Sequence, residues 1–131
     1  FYHDKTIRLK SSLLVKEALP AYSVHGTNGS FLKQRADIQE DMLKQGARPG
    51  GADWGSELPE MPGILNITRE GKEERVSIRS EKGNYMEFYD GLYAAIENGQ
   101  PLPVTARDGL HVMRIIEAAL DSNISGRIID L

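Results

Sequence analysis

The chain reads as an α+β domain: an open, largely antiparallel β-sheet with helices packed on one face. Three observations predict it. Strand-like runs cluster in the first part of the sequence instead of alternating with helices, which argues against a parallel βαβ sheet. Two of those runs, "ILNIT" and "RVSIR", flank Glu70-Gly71, a hairpin signature. Two amphipathic helical stretches then follow one another. At 131 residues the chain is long enough to bury a core, and it is expected to form one domain over 1–131.

In chain order, "TIRLKSSLLV" (residues 6–15) alternates. Ile7, Leu9, Leu13 and Val15 fall on one face, and Arg8, Lys10 and Ser12 on the other, which predicts a half-exposed strand. Pro20 interrupts the chain before a short strand over 21–25. In "YSVHGTNGSF" the Asn28-Gly29 pair predicts a tight reversal at positive φ, and a further strand-like run covers 31–33. "DIQEDMLKQG" carries a capping pattern: Asp37 is placed to accept from the Glu40 amide while Glu40 reaches back, and Gly46 ends the helix. Residues 46–63 hold five glycines, three prolines and the sole tryptophan, a long loop of the kind that is usually functional or disordered. In the first long helix Asn84 caps, and Tyr85, Phe88, Tyr89, Leu92 and Ile96 make one apolar stripe. In the second, Thr105 caps with Asp108 three residues on, and Val112, Met113, Ile116 and Leu120 form the core face. "GRIIDL" is predicted as a closing strand.

Composition narrows function by exclusion. A net charge of −3, with nine aromatics and no basic stripe among them, gives nucleic acid and anionic membranes no electrostatic footing. Cysteine is absent, so thiolate catalysis, zinc–thiolate sites and disulfides are excluded. No apolar run is long enough to span a bilayer and no signal peptide is visible. The cytoplasm is the expected compartment, since the lack of cysteine fits reducing conditions, though it would also survive oxidising ones. The chain opens on Phe1, inside or just before a strand, which suggests a piece of a longer polypeptide.

The chemistry-bearing residues are sparse. His3, His25 and His111 lie far from one another in sequence, so no local metal pair exists and no metal site is expected. His25, beside a turn, reads as a structural histidine bonded to a turn carbonyl. A dinucleotide cradle needs G-x-G-x-x-G between a strand and a helix. "GTNGSF" has the wrong spacing and leads into another strand, and "GGADWG" has Ala52 at the middle glycine position. Asp37, Glu40 and Asp41 are explained by the helix start they occupy. Trp54, in the glycine-rich loop, either stacks on a ligand or packs the loop onto the domain.

Taken together, the H-G-T-x-G-S-F turn, "DIQEDMLKQG…WGSELPE" and "FYDGLYAAIENGQPLPVTARDGLHVMRIIEAAL" resemble the C-terminal domain of the glucose–fructose oxidoreductase/inositol dehydrogenase/MocA (Gfo/Idh/MocA) family over nearly the full length. The resemblance implies a parent enzyme whose N-terminal Rossmann domain binds NAD or NADP. It also implies hydride transfer to or from a sugar, polyol or related small molecule. The present domain would supply the far wall of the substrate pocket, and its open sheet would contact another subunit in a homo-oligomer. The family's E-K-P lysine and its D-x-x-x-H helix have no counterpart in this sequence. No catalytic and no cofactor-binding residue is therefore carried over, the chain alone is expected to be inactive, and no cofactor is expected on it. The substrate-side wall is expected in residues 33–54, with Asp37, Gln39 and Trp54 as its binding residues, because polyol hydroxyls need donors and acceptors placed by a loop. The alternative is a stand-alone module for small-ligand binding or oligomerisation.

Overall fold

The computed structural model describes residues 5–131, so His3 lies outside the described residues. The elements are β1 (Tyr22–Gly26), β2 (Gly29–Lys33), α1 (Gln39–Lys44), β3 (Gly63–Arg69), β4 (Lys72–Ile78), α2 (Met86–Asn98) and α3 (Ala106–Ser125). The strands form one open sheet in the order β1-β2-β3-β4, antiparallel throughout. This is the predicted α+β class. The chain divides into two compact units, one of Glu17–Asp90 and the other of Gly91–Leu131 with residues 5–16, and α2 runs across the division.

Register explains the sheet of the first unit. His25, Ser30, Asn66 and Arg75 stand opposite one another across the four strands, so they share a face. The next row, Val24, Phe31, Leu65 and Val76, makes the other face apolar. The β3–β4 hairpin turns at Glu70 (φ 51°) and Gly71 (φ 75°), the paired positive values that a two-residue turn matched to strand twist requires.

The β1–β2 reversal is made differently from the prediction. The turn residues are Thr27 and Asn28, and neither Asn28 nor Gly29 has positive φ. Gly29 is needed for another reason: a Cβ there would lie 2.5 Å from the Asn66 carbonyl oxygen of the neighbouring strand. The turn is tied to β3 as well, since the Thr68 amide donates to the Asn28 carbonyl at 2.8 Å. His25 is held by side chains and not by a turn carbonyl. Its Nδ1 pairs with the Ser30 hydroxyl and its Nε2 with the Ser23 hydroxyl, both at 2.9 Å. One serine donates and the other accepts, which satisfies the imidazole in either tautomer.

The most buried side chains of this unit lie beside the sheet. Gln39 is fully buried, Trp54 is 4% exposed and Ala36 8%, all at the junction of α1 with the long loop. Lys33 projects from the apolar face and ion-pairs with Glu57 in that loop, so the loop folds against this side.

In the second unit, α3 begins with the predicted capping box: Thr105 Oγ1 accepts from the Asp108 amide, and the Asp108 carboxylate accepts from the Thr105 amide at 2.8 Å. It ends at Gly126 in the left-handed conformation. Residues 6–15 are not the predicted strand; they take no regular secondary structure, and neither does the tail after α3. Alternation determines which face a strand would bury, but a ladder forms only where a neighbouring backbone offers donors and acceptors. Residues 6–10 instead share a cavity of about 550 Å³ with the 115–123 face of α3 and the tail. The predicted apolar stripes of α2 and α3 contain no buried residue; Tyr89, Ile96 and Leu120 are all exposed. A stripe states which side of a helix favours burial, and an opposing surface has to supply it.

Candidate functional site

Within the unit Glu17–Asp90, three segments converge: the end of β2 with the linker into α1, the loop at 54–57, and the strap at 79–85 after β4. They enclose a cavity of about 200 Å³. Its polar lining comes from Lys33, Arg35, Asp37, Glu57, Ser80 and Glu81, with Tyr22 at its side.

Each wall is fixed by identifiable bonds. Lys33 Nζ donates to Glu57 Oε2 and, at 2.9 Å, to the Met61 carbonyl. The other Glu57 oxygen accepts from the Ser80 amide at 3.0 Å. The Lys33 ammonium beside it holds the Glu57 carboxyl below its usual range, against the opposing effect of burial. Lys82 Nζ donates to the Ala52 carbonyl at 2.7 Å, and the Gly83 amide to the Gly55 carbonyl at 3.0 Å. The strap is thus sewn along the loop. Gly55 has φ 72°, and a Cβ on it would stand 1.7 Å from the Gly83 carbonyl oxygen. Only glycine fits that position.

Asp37 lines the cavity, but it is not the helix cap the sequence suggested. The N-cap of α1 is Ile38 with no side-chain cap, and Glu40 pairs along the helix with Lys44 at 2.7 Å. Asp37 Oδ1 accepts instead from the Gln39 amide at 3.0 Å and from Gln39 Nε2 at 3.1 Å. Capping boxes require the cap residue to sit three positions before its partner, and here α1 begins one residue later than the pattern implied. The Asp37 charge also raises the Tyr85 phenol above its ordinary value.

Gln39 and Trp54 lie in the buried junction behind the cavity wall. The Gln39 side chain accepts from the Tyr85 amide at 2.9 Å while donating to Asp37. The Trp54 indole Nε1 is buried without a hydrogen-bond partner among the described residues. The structure therefore brings all three candidates into one region, with Asp37 on the cavity and the other two supporting it. Lys33, Glu57, Ser80 and Glu81 were not singled out from sequence. Glu57 and Ser80 are 23 residues apart, and no local pattern marks such a pair.

The arrangement offers carboxylate acceptors and ammonium, guanidinium and hydroxyl donors around a small space, which is chemistry suited to a hydroxylated molecule. A nicotinamide dinucleotide is a poor fit. "GTNGSF" forms the β1–β2 turn and "GGADWG" lies within the loop, so neither leads from a strand into a helix N-terminus. Among the described residues no group of three or more His, Cys, Asp or Glu side chains is placed to hold a metal ion. Nor is any described helix long and apolar enough to cross a membrane.

The fold is that of an α+β domain with an open antiparallel sheet. Residues 1–131 match the family described as "Oxidoreductase family, C-terminal alpha/beta domain", and the chain belongs to that Gfo/Idh/MocA family. It is 40% identical to scyllo-inositol 2-dehydrogenase (NADP(+)) IolW of Bacillus subtilis (strain 168), over 86% of this chain and 31% of that protein. It is 34% identical to the oxidoreductase YhhX of Escherichia coli (strain K12), over 92% of this chain and 35% of that one. Among solved structures, the oxidoreductase yvaA of Bacillus subtilis superposes with a TM-score of 0.80 at 39% identity, covering 90% of this chain and 34% of that one. An oxidoreductase of Bacteroides fragilis does so with a TM-score of 0.75 at 40% identity, covering 92% and 36%. The chain spans about a third of the length of the curated relatives it matches.

Proposed function

We propose that this chain is the substrate-side domain of an NAD(P)-dependent oxidoreductase acting on a hydroxyl or carbonyl of a sugar, polyol or related small molecule. The observation that carries the reading is the 40% identity to a scyllo-inositol 2-dehydrogenase (NADP(+)). The polar cavity with Asp37, Lys33 and Glu57 in its walls supports it. In this reading a Rossmann domain of the same polypeptide brings the nicotinamide, and this domain brings the wall that holds the substrate's hydroxyls. Asp37 accepts from a substrate hydroxyl, while Gln39 and Trp54 act from behind. The sheet contributes contacts to a second subunit of a homo-oligomer, and the protein works in the cytoplasm.

The test is turnover by the complete protein, with scyllo-inositol and NADP⁺ or NAD⁺, followed by absorbance of the reduced nicotinamide. Formation of reduced cofactor with either is the expected result; no turnover of inositols or aldoses with either refutes the reading. The 131-residue chain alone is expected to leave NADH and NADPH fluorescence unchanged on titration, and saturable binding would refute the division of roles between domains. Sedimentation of the complete protein is expected to show an oligomer, and a monomer at high concentration would refute the proposed sheet contact.

A further inference from the structure

The largest fully buried side chain among the described residues is an amide, Gln39, not a hydrocarbon. A buried polar group is retained at a cost unless its hydrogen bonds are made, and here they are made to two different segments. Nε2 donates to the Asp37 carboxylate, at 3.1 Å to Oδ1 and 3.3 Å to Oδ2. Oε1 accepts from the Tyr85 amide, 46 residues away. Flipping the amide would set oxygen against carboxylate and NH₂ against N–H, so both partners select the same orientation. Gly83 abuts this amide closely enough that a Cβ there would meet Nε2 at 2.8 Å.

We infer that Gln39 is a positioning residue that locks the Asp37 carboxylate into the cavity wall and, through the same amide, fastens the strap at 83–85. Asp37 Oδ1 accepts two bonds from Gln39, whereas Oδ2 receives from Gln39 only the 3.3 Å contact, and the Tyr85 hydroxyl also interacts with this carboxylate. Oδ2, less engaged by Gln39 than Oδ1, is the atom assigned to accept a substrate hydroxyl. The order of the strap and the aim of that oxygen depend on one side chain. This inference rests on the reading of the cavity as a site for a hydroxylated substrate.

Near-isosteric variants of the complete protein separate the two roles. Asp37→Asn keeps an Oδ1 acceptor for both Gln39 donors but replaces Oδ2 with NH₂. Gln39→Glu replaces the Nε2 donor with an oxygen facing the carboxylate. Steady-state kinetics with scyllo-inositol and NADP⁺ and amide hydrogen exchange at 83–85 are the readouts. Asp37→Asn is expected to raise KM about tenfold with kcat little changed and exchange at 83–85 unaltered. Gln39→Glu is expected to raise KM by a similar factor while its Oε1 still accepts from the Tyr85 amide, so exchange there stays slow. Gln39→Met, of similar volume, removes donor and acceptor together and is expected both to raise KM and to speed exchange of the Tyr85 amide by about tenfold or more. Fast exchange in Gln39→Met with unchanged KM in both Gln39 variants would leave Gln39 purely structural and overturn the inference, as would an unchanged KM in Asp37→Asn. Unchanged exchange in Gln39→Met would overturn the link to the strap. A wild-type protein that turns over no polyol sinks the functional reading and the substrate half of this inference, while exchange in Gln39→Met still decides the link to the strap.

Discussion

Replacing Gly55 with alanine measures how strongly the strap is held against the loop. Gly55 sits at φ 72°, where a side chain costs about 1–2 kcal/mol through the clash of Cβ with the following carbonyl. The larger effect is steric. The new Cβ would fall 1.7 Å from the Gly83 carbonyl oxygen and 2.7 Å from its carbon, so the strap has to withdraw by about the difference from an ordinary contact. Withdrawal breaks the Gly83–Gly55 hydrogen bond, worth about 0.5–1.5 kcal/mol, and leaves buried Gln39 without its Tyr85 donor, at about 1–3 kcal/mol. The total is about 3–6 kcal/mol, a large part of the stability of a typical domain. Gly46→Ala is the control. Gly46 has φ 84° and nothing within 4 Å of the added Cβ, so it isolates the backbone cost of about 1–2 kcal/mol. Urea unfolding of the 131-residue chain, followed by emission from Trp54, the sole tryptophan, gives both numbers. If the two variants lose the same stability within about 0.5 kcal/mol, the close approach of strap and loop is not what glycine at 55 is for.

Three further outcomes are expected. The Glu57 carboxyl is held below its ordinary value of 4.5, chiefly by Lys33, so its contribution is complete above that pH and is lost as pH falls through the lowered value. The stability gap between wild type and Glu57→Gln, measured by urea titration across pH, should therefore be largest near neutrality and close on acidification; a gap that widens in acid would refute the ion-pair reading. Thr105→Ala removes one half of the α3 capping box and should cost about 1 kcal/mol by thermal or urea unfolding, whereas no loss would show the box to be redundant. His25→Ala removes two hydroxyl bonds on an exposed strand, so a loss under about 1 kcal/mol is expected. A loss above about 2 kcal/mol by the same measurement would mean that this face is not a surface.

Local patterns were sufficient where the interaction itself is local. The Glu70-Gly71 turn, the Thr105–Asp108 box and the left-handed Gly46 each depend on residues within four positions of one another, and the chain declares them in sequence. The strand at 6–15 failed for the opposite reason: its alternation was real, but a strand is a relation between two backbones. The site was legible only in part. The glycine-rich loop with Trp54 and the Asp37–Gln39 pair fall beside the cavity, yet the spacing suggested a cap where the fold makes a bridge.

From its residues alone this chain declared its class, its order of hairpin and helices, and its membership of an oxidoreductase family. Only the tertiary structure decided that Gly29 serves close strand approach, that Lys33 meets Glu57, and that a buried glutamine joins Asp37 to Tyr85. Periodicity and capping are written in neighbouring side chains, whereas a cavity is built from partners such as Lys33 and Glu57 that lie 24 positions apart. No short stretch of sequence carries that distance.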